Sequence, residues 1–408
     1  MMKDYFDSLA SGIEQKIALN PESKTPRKVY ALEVARLGAR LYGGKDTVAW
    51  CGVAAPFDLL SAMGVVSCFV EFVGAMLAST GTAGDFMQAA ENQGFGGDAC
   101  GYHRAILGAA EKGVMPVPDF LIATTCPCSG GVAVMENLAR DFKKDLFVLN
   151  VPQEPSPEGV RYLADQMREM VAFVSDHTGR PLDPAALSKA VEKTNQARKI
   201  MADVYRLAQS VPSPANSMDL ANFGIVAALF LGTDAGMDLA GAYCDDFSKK
   251  VENKTSGAAE ERLRLLWIQN RIQYKNPLIK FLENELGAVI VADELNDITW
   301  DPIDPDDPFP GFAQRAISIP FNGWGVRRVA HLQKMVREYQ VDGAVNPCHF
   351  GCRQGTGMRG LIGEGLKEIG VPVLNLEVDC VDSRNFAEGQ LKTRLEAFAE
   401  MLEARRQG

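Results

Sequence analysis

Positive charge is scarce in this sequence: 42 lysines and arginines stand against 52 aspartates and glutamates, a formal net charge of −10. Such a balance leaves no electrostatic footprint for nucleic acid or an anionic membrane surface, and neither is expected as a partner. Long apolar runs are missing too. The most apolar segments, VVSCFVEFVGAMLA and NFGIVAALFLG, are short, and the first contains Glu71, so no membrane span is expected. The amino-terminal MMKDYFDSLASGIEQK shows no apolar stretch followed by small residues, so no secretory signal and a cytoplasmic location are expected. Nucleotide signatures are lacking as well: GFGG and RQGTGMRG have neither the strand–GxGxxG–helix setting of a dinucleotide site nor the GK[ST] of a P-loop. The chain itself is not expected to bind ATP. Histidine is rare, with four in 408 residues. All four read by default as surface residues, although His103 and His349 each adjoin a cysteine of interest and could donate a hydrogen bond to sulfur or substrate.

Cysteine, by contrast, is plentiful. Nine thiols in a chain without a secretory signal, and an odd number of them, favour metal or redox chemistry over a disulfide framework. The length suggests about two domains, and 47% apolar residues suffice for proper cores.

Periodicity divides the chain into a helical start (1–45), a first α/β region (46–155), a helical insert (156–276) and a second α/β region (277–408) ending in a helix. In the first α/β region TVAWCG, VVSCFVEF, DFLIATT and DLFVLNVP read as strands separated by helices, and alternation returns with AVIVADE, DGAVNPC and VPVLNLEVD. Two doubly wound, flavodoxin-like domains with parallel sheets are expected, flanking helices.

The two halves share a feature at one structural place. Strand DFLIATT ends in CPC before a helix, and strand DGAVN ends in PCHFGC before another. Ligands of open α/β sheets bind beyond the carboxyl ends of the strands, so both groups should point into such a crevice. Cys100, between a Gly-rich loop and a helix, is a third thiol of this kind. A helix amino terminus should lower the pKa of such a thiol, which suits a ligand. Three or four thiolates converging from separate domains suit zinc or an iron–sulfur cluster. The residues alone leave open whether Cys100, Cys126, Cys128, Cys348 and Cys352 are ligands or small buried hydrophobes, whereas Cys68 and Cys244 read as core.

Further landmarks, in order, are AAPFDLL with Glu71 following, DACGYHR, MPVPDFLIATTCPC with Glu136 on the next helix, WDPIDPDDP, REYQVDGAV, a cysteine before GLKEIGVPVLNLEVD, and SRNF with TRLEAFAEML. With these the chain resembles, over nearly its whole length, the iron–sulfur subunits of the 2-hydroxyacyl-CoA dehydratase and benzoyl-CoA reductase superfamily. The resemblance implies a [4Fe–4S] cluster held by Cys100, Cys128 and Cys352. Within the cysteine pairs, Cys128 is preferred to Cys126 by its distance to Glu136, and Cys352 to Cys348 by its distance to the GVP turn. The fourth iron would be left to water or to an acyl-CoA thioester carbonyl. It also implies one-electron reduction to a ketyl followed by loss of water, with Glu71 handling a proton or hydroxyl. The implied partners are a homologous second iron–sulfur subunit and a separate ATP-dependent activator protein. Burial among apolar residues would raise the Glu71 pKa as acid–base work requires, whereas a strand-edge position would leave it in solvent.

Dehydratase is the first reading and benzoyl-CoA reductase the second. A serine of the dehydratases corresponds here to Val53, which weighs against hydroxyl expulsion. Cys126 and Cys348, with Cys51 or Cys380, could instead complete a second cubane in an electron carrier, or the cluster could only relay electrons. A zinc-stabilised scaffold is the remaining alternative. Arg104 and Arg353 read as solvated arginines or as contacts for CoA phosphates.

Overall fold

The computed structural model describes residues 2–407, and of residues 225–228 the backbone alone. Helices α1 (Met2–Leu19) and α2 (Pro26–Leu41) lead into the first sheet. Its strands are β1 (Thr47–Cys51), β2 (Val65–Phe69), β3 (Phe120–Thr124) and β4 (Leu146–Leu149), interleaved with α3 (Phe57–Ala62), α4 (Val70–Ser79), α5 (Ala83–Asn92), α6 (Gly101–Glu111) and α7 (Ser129–Phe142). Then come α8 (Pro157–Thr178), α9 (Pro184–Ala208), α10 (Ser217–Leu229) and α11 (Asp234–Glu252). The second sheet holds β5 (Leu263–Trp267), β6 (Ala288–Asp293), β7 (Gly343–His349) and β8 (Val373–Val378). Around it lie α12 (Leu278–Lys280), α13 (Pro308–Ile317), α14 (Gly325–Glu338), α15 (Arg353–Thr356), α16 (Arg359–Glu368) and the closing α17 (Glu388–Gln407).

Both sheets are parallel throughout and repeat one order, β2-β1-β3-β4 and β6-β5-β7-β8. This is the doubly wound, flavodoxin-like arrangement expected from the alternation of strands and helices. Strands β3, β5, β6 and β7 are buried along their whole length. Covered on both faces by helices, a parallel strand must be apolar at nearly every position, and FLIAT and AVIVAD are.

One strand falls where a helical insert was expected. β5 lies inside residues 156–276 and pairs with both β6 and β7. Arg264 interrupts the apolar run LRLLW and hides its strand character. In the fold Arg264 is 3% exposed, paired with Glu261 at 2.5 Å and donating to the Tyr339 and Ser210 carbonyls.

The helices between the sheets serve both of them. Leu163, Met167 and Met170 of α8 share a core with Phe120 and Ile122 of β3 and with Phe312 of α13. Met201, Val204 and Tyr205 of α9 belong to the core of the second sheet. At the centre of this junction Asp58 of α3 receives both terminal nitrogens of Arg315 from α13, at 2.6 and 2.8 Å, and the Thr194 hydroxyl of α9 at 2.9 Å. Beyond this junction the carboxyl-end loops of the two sheets meet, Gln354 after β7 donating to the Pro127 carbonyl after β3 at 3.0 Å.

Candidate functional site

In each sheet the chain reverses direction between its first and third strands, so the loops after β1 and β3, and after β5 and β7, diverge and open a gap. Cys128 and Cys352 stand in the loops after β3 and β7. Cys100 enters from the loop between α5 and α6.

All three occupy the same local position. Cys100 is the residue preceding α6, Cys128 that preceding α7 and Cys352 that preceding α15, and none makes a side-chain capping bond. The longer helices α8, α9 and α11 start at Ser156, Asp183 and Thr233, whose side chains accept from the first turn. Cysteine is not among the preferred caps. Helices α2, α4, α5, α13, α14 and α16 also start without such a bond, so what sets these three starts apart is the repeated cysteine.

The domains meet tightly around these thiols. Gly351, at φ +73, lies so close to the Ala99–Cys100 backbone that a Cβ there would stand 2.6 Å from the Cys100 nitrogen. Gln354 Nε2 donates to the Pro127 carbonyl at 3.0 Å, tying α15 to the loop that carries Cys128. Burial pushes the Cys100 thiol up to about 12, against the backbone N–H groups of His103 and Tyr102, and the charges of Cys352 and Cys128 add to the rise. Cys128 is raised too, by burial first, with Cys352 and Glu71 contributing. The lowering expected at a helix amino terminus is thus outweighed by desolvation.

Two side-chain N–H groups reach the sulfurs. His349 is fully buried; its Nδ1 accepts from the Cys380 backbone N–H at 2.9 Å, so Nε2 carries the proton and faces Cys100 Sγ at 3.3 Å. Gln269 Nε2 donates to Cys352 Sγ at 3.1 Å. His103 lies against the start of α7, where a Cβ on Gly130 would be 3.1 Å from its ring, and burial pushes it down to about 4. Neither is a surface histidine. Nor are His177, packed on Phe173 and paired with Asp145 at 3.1 Å, and His331, 3.7 Å from Asp297.

Glu71 is the second residue of α4, beyond the end of β2, rather than part of a strand. The residue is half-buried, but its carboxyl is enclosed: Oε2 is shielded from solvent and has no hydrogen-bond partner. Burial pushes its pKa up to about 7. A Cβ on Gly131 would stand 3.6 Å from Glu71 Oε1, which puts the carboxyl beside the first turn of α7. The strand-edge alternative does not describe it.

The remaining cysteines lie elsewhere. Cys51 and Cys126 are buried in the core between the first sheet and α8, and Cys68 in the core on the opposite face. Cys348 precedes His349 in β7 and so projects from the other side of the sheet, with Sγ 3.5 Å from Asn375 Oδ1. Cys380 is fully buried beneath the site, near enough for the charges of Cys352 and Cys100 to raise it after burial and Asp379. Cys244 is half-buried on α11. No second group of four thiols comes together among the described residues.

Arg104 is neither solvated nor free for a phosphate. It is 3% exposed and pairs with Glu91 at 2.6 Å, Asp379 at 3.1 Å and Asp382 at 3.2 Å. A cleft of about 580 Å³ opens beside it, but Arg384 there is also matched, to Glu91 and Asp382. Arg353 is exposed. Of the two contacts to the sulfurs, that of His349 was expected from its place beside a cysteine, although it reaches Cys100 rather than its neighbour, whereas Gln269 belongs to no motif and carries no local sequence signal.

The donor set fits an iron–sulfur cluster. It offers three soft sulfur ligands from three helix starts, enclosed by both domains, with N–H donors aimed at two of them. Among the described residues no three His, Cys, Asp or Glu side chains are grouped as a single metal ion requires.

Comparison with known proteins bears on what this arrangement serves. Residues 53–402 match the family model described as 2-hydroxyglutaryl-CoA dehydratase, D-component. The chain is 24% identical over 377 residues to the (R)-phenyllactyl-CoA dehydratase alpha subunit of Clostridium sporogenes, covering 89% of this chain and 91% of that one. It is 25% identical over 391 residues to the alpha subunit of lactoyl-CoA dehydratase from Anaerotignum propionicum, covering 88% and 91%. A benzoyl-CoA reductase subunit of Thauera aromatica is 25% identical over 358 residues, covering 80% and 82%. With a family match across most of its length, the chain belongs to the 2-hydroxyglutaryl-CoA dehydratase D-component family and is an enzyme subunit of that type.

Proposed function

We propose that the chain is the iron–sulfur subunit of an activator-dependent (R)-2-hydroxyacyl-CoA dehydratase, with a [4Fe–4S] cluster held by Cys100, Cys128 and Cys352. The observation that carries this reading is the repetition of one device: three cysteines, each at a helix start, brought from two sheets to one crevice beside an enclosed carboxyl. Zinc binds its sulfurs at ~2.3 Å in a compact tetrahedron, whereas a cubane spreads its thiolates over separate irons. The cluster is preferred to a zinc scaffold on the family to which the chain belongs.

Bound there, the cluster would supply one electron and, at the iron without a protein thiolate, a Lewis acid for a thioester carbonyl. The chain's own residues do the rest. His349 and Gln269 orient two ligand sulfurs. Glu71, whose carboxyl holds a proton up to about pH 7, gives or takes a proton beside the Cys128 helix. A homologous second subunit and an ATP-consuming activator complete the enzyme, which fits a chain with no P-loop and relatives named as alpha subunits.

Benzoyl-CoA reduction is the second reading, favoured by Val53 after β1 and by the reductase subunit among the relatives. The purified subunits with activator, ATP and reductant are to be given a panel of (R)-2-hydroxyacyl-CoA thioesters and benzoyl-CoA. Enoyl-CoA by mass spectrometry supports the dehydratase; ring-reduced benzoyl-CoA with no enoyl-CoA replaces it by the reductase.

A further inference from the structure

Gln269 is held in a way that packing does not require. It follows β5 by two residues, across the switch point of the second sheet from the loop that carries Cys352. Its backbone has φ +67, a left-handed conformation that L side chains adopt at a cost and that glycine would adopt freely. Strain of this kind persists where the surroundings enforce it, and it concentrates at functional sites. The side chain is 3% exposed, and its amide splits into one satisfied and one unsatisfied half. Nε2 donates to Cys352 Sγ at 3.1 Å; Oε1 is buried with no partner. A buried, unpaired amide oxygen is costly and marks a role beyond filling space.

The opposing surface is shaped to admit this amide. Gly355, in the first turn of α15, faces it, and a Cβ there would come within 2.9 Å of Oε1 and 3.1 Å of Nε2. The turn that starts at Cys352 thus leaves a slot for the Gln269 amide. The slot is fixed from behind: Arg328 donates to the Gln354 carbonyl at 2.6 Å while bound through Nε and Nη2 to Glu294 at 2.6 and 2.8 Å.

Resting on the cluster reading above, we propose that Gln269 is a positioning residue that clamps the Cys352 sulfur and, by withdrawing electron density from it, sets the reduction potential of the cluster. A hydrogen bond to a ligand sulfur stabilises the electron-richer, reduced state, so its removal makes the potential more negative. The left-handed backbone directs the side chain back over α15.

Two substitutions test this, both read in the anaerobically purified, cluster-loaded chain. Gln269→Gly removes the donor and relieves the backbone; Gln269→Leu removes the donor and keeps the bulk. The readouts are iron per chain, thermal stability and the midpoint potential from an EPR-monitored redox titration. A more negative potential in both, with stability kept or raised in Q269G and activity lowered about 10–100-fold, is the expected result. Loss of iron from a folded Q269G also supports the clamp, because a residue that merely packs would leave loading intact. An unchanged potential in whichever variants fold, with iron retained, overturns the proposal and leaves the cluster reading standing. Absence of iron from the unsubstituted chain is the separate failure that removes both.

Discussion

Glu71 combines three properties that rarely meet in a structural carboxylate: an enclosed oxygen without a partner, a pKa pushed up to about 7 by burial, and a place beside the helix that Cys128 begins. Replacing it by glutamine keeps its size and removes the exchangeable proton. E71Q should retain its iron and lower kcat about 10²–10⁴-fold, as loss of a general acid–base group does. Steady-state kinetics on an iron-matched sample checks this. The adjacent cysteines provide a second contrast at the same scale. Cys128→Ser should lose most of the iron, while Cys126→Ser, which alters a thiol buried in the α8 core, should keep it; iron analysis of the two proteins decides. Glu283 gives the pH dependence of stability. Burial pushes its pKa from 4.5 up to about 7, against the Ser217 and Ile290 N–H groups that it accepts. A raised folded-state pKa means that the native chain binds the proton more tightly. The contribution is therefore fully present below about pH 4.5 and is lost as the pH rises through 7, amounting to about 3 kcal/mol. Urea unfolding of E283Q at several pH values should show this part of the slope abolished; a slope equal to that of the parent would contradict it.

Among the elements, the strands with unbroken apolar runs were legible from sequence because a parallel sheet buried on both faces demands such runs. β5 was not, because Arg264 is its second residue and the compensation comes from carbonyls of residues distant in sequence. Cysteines at helix starts were legible as a pattern, and the preference for Cys128 and Cys352 within CPC and PCHFGC came from the resemblance; what the sequence did not display is that Cys126 is buried in the α8 core and that Cys348 projects from the other side of β7. Gln269 lies 83 residues from the sulfur it contacts and could not be read at all. The junction of α3, α9 and α13 carries its own prediction. Asp58 is fully buried, and burial alone would raise it, yet the charge and hydrogen bonds of Arg315 with the Thr194 bond hold it below its usual range. D58N leaves the half-buried Arg315 guanidinium without its counter-charge and should destabilise the chain by about 3 kcal/mol. Equilibrium denaturation measures it, and D58N combined with Arg315→Met should recover part of the loss. Equal destabilisation in the single and double variants would show that the pair does not act as a unit.

In the whole molecule, two copies of one topology are set with their carboxyl ends towards each other, joined by α8–α11 and by a core that runs from α2 through α9 to the second sheet. Neither sheet alone assembles the site: one domain brings Cys100, Cys128 and Glu71, the other Cys352, His349 and Gln269. A cluster bound there links the domains, so loading should raise the unfolding temperature of the entire chain rather than of one half. A [4Fe–4S] cluster held by these three thiols would bring its iron and sulfide with it. Iron and acid-labile sulfide should therefore be measured per chain after anaerobic purification, beside the Cys100→Ser, Cys128→Ser and Cys352→Ser proteins. About four of each in the parent chain, with loss in all three variants, is expected. A parent chain free of iron, or variants that keep the full complement, would contradict it.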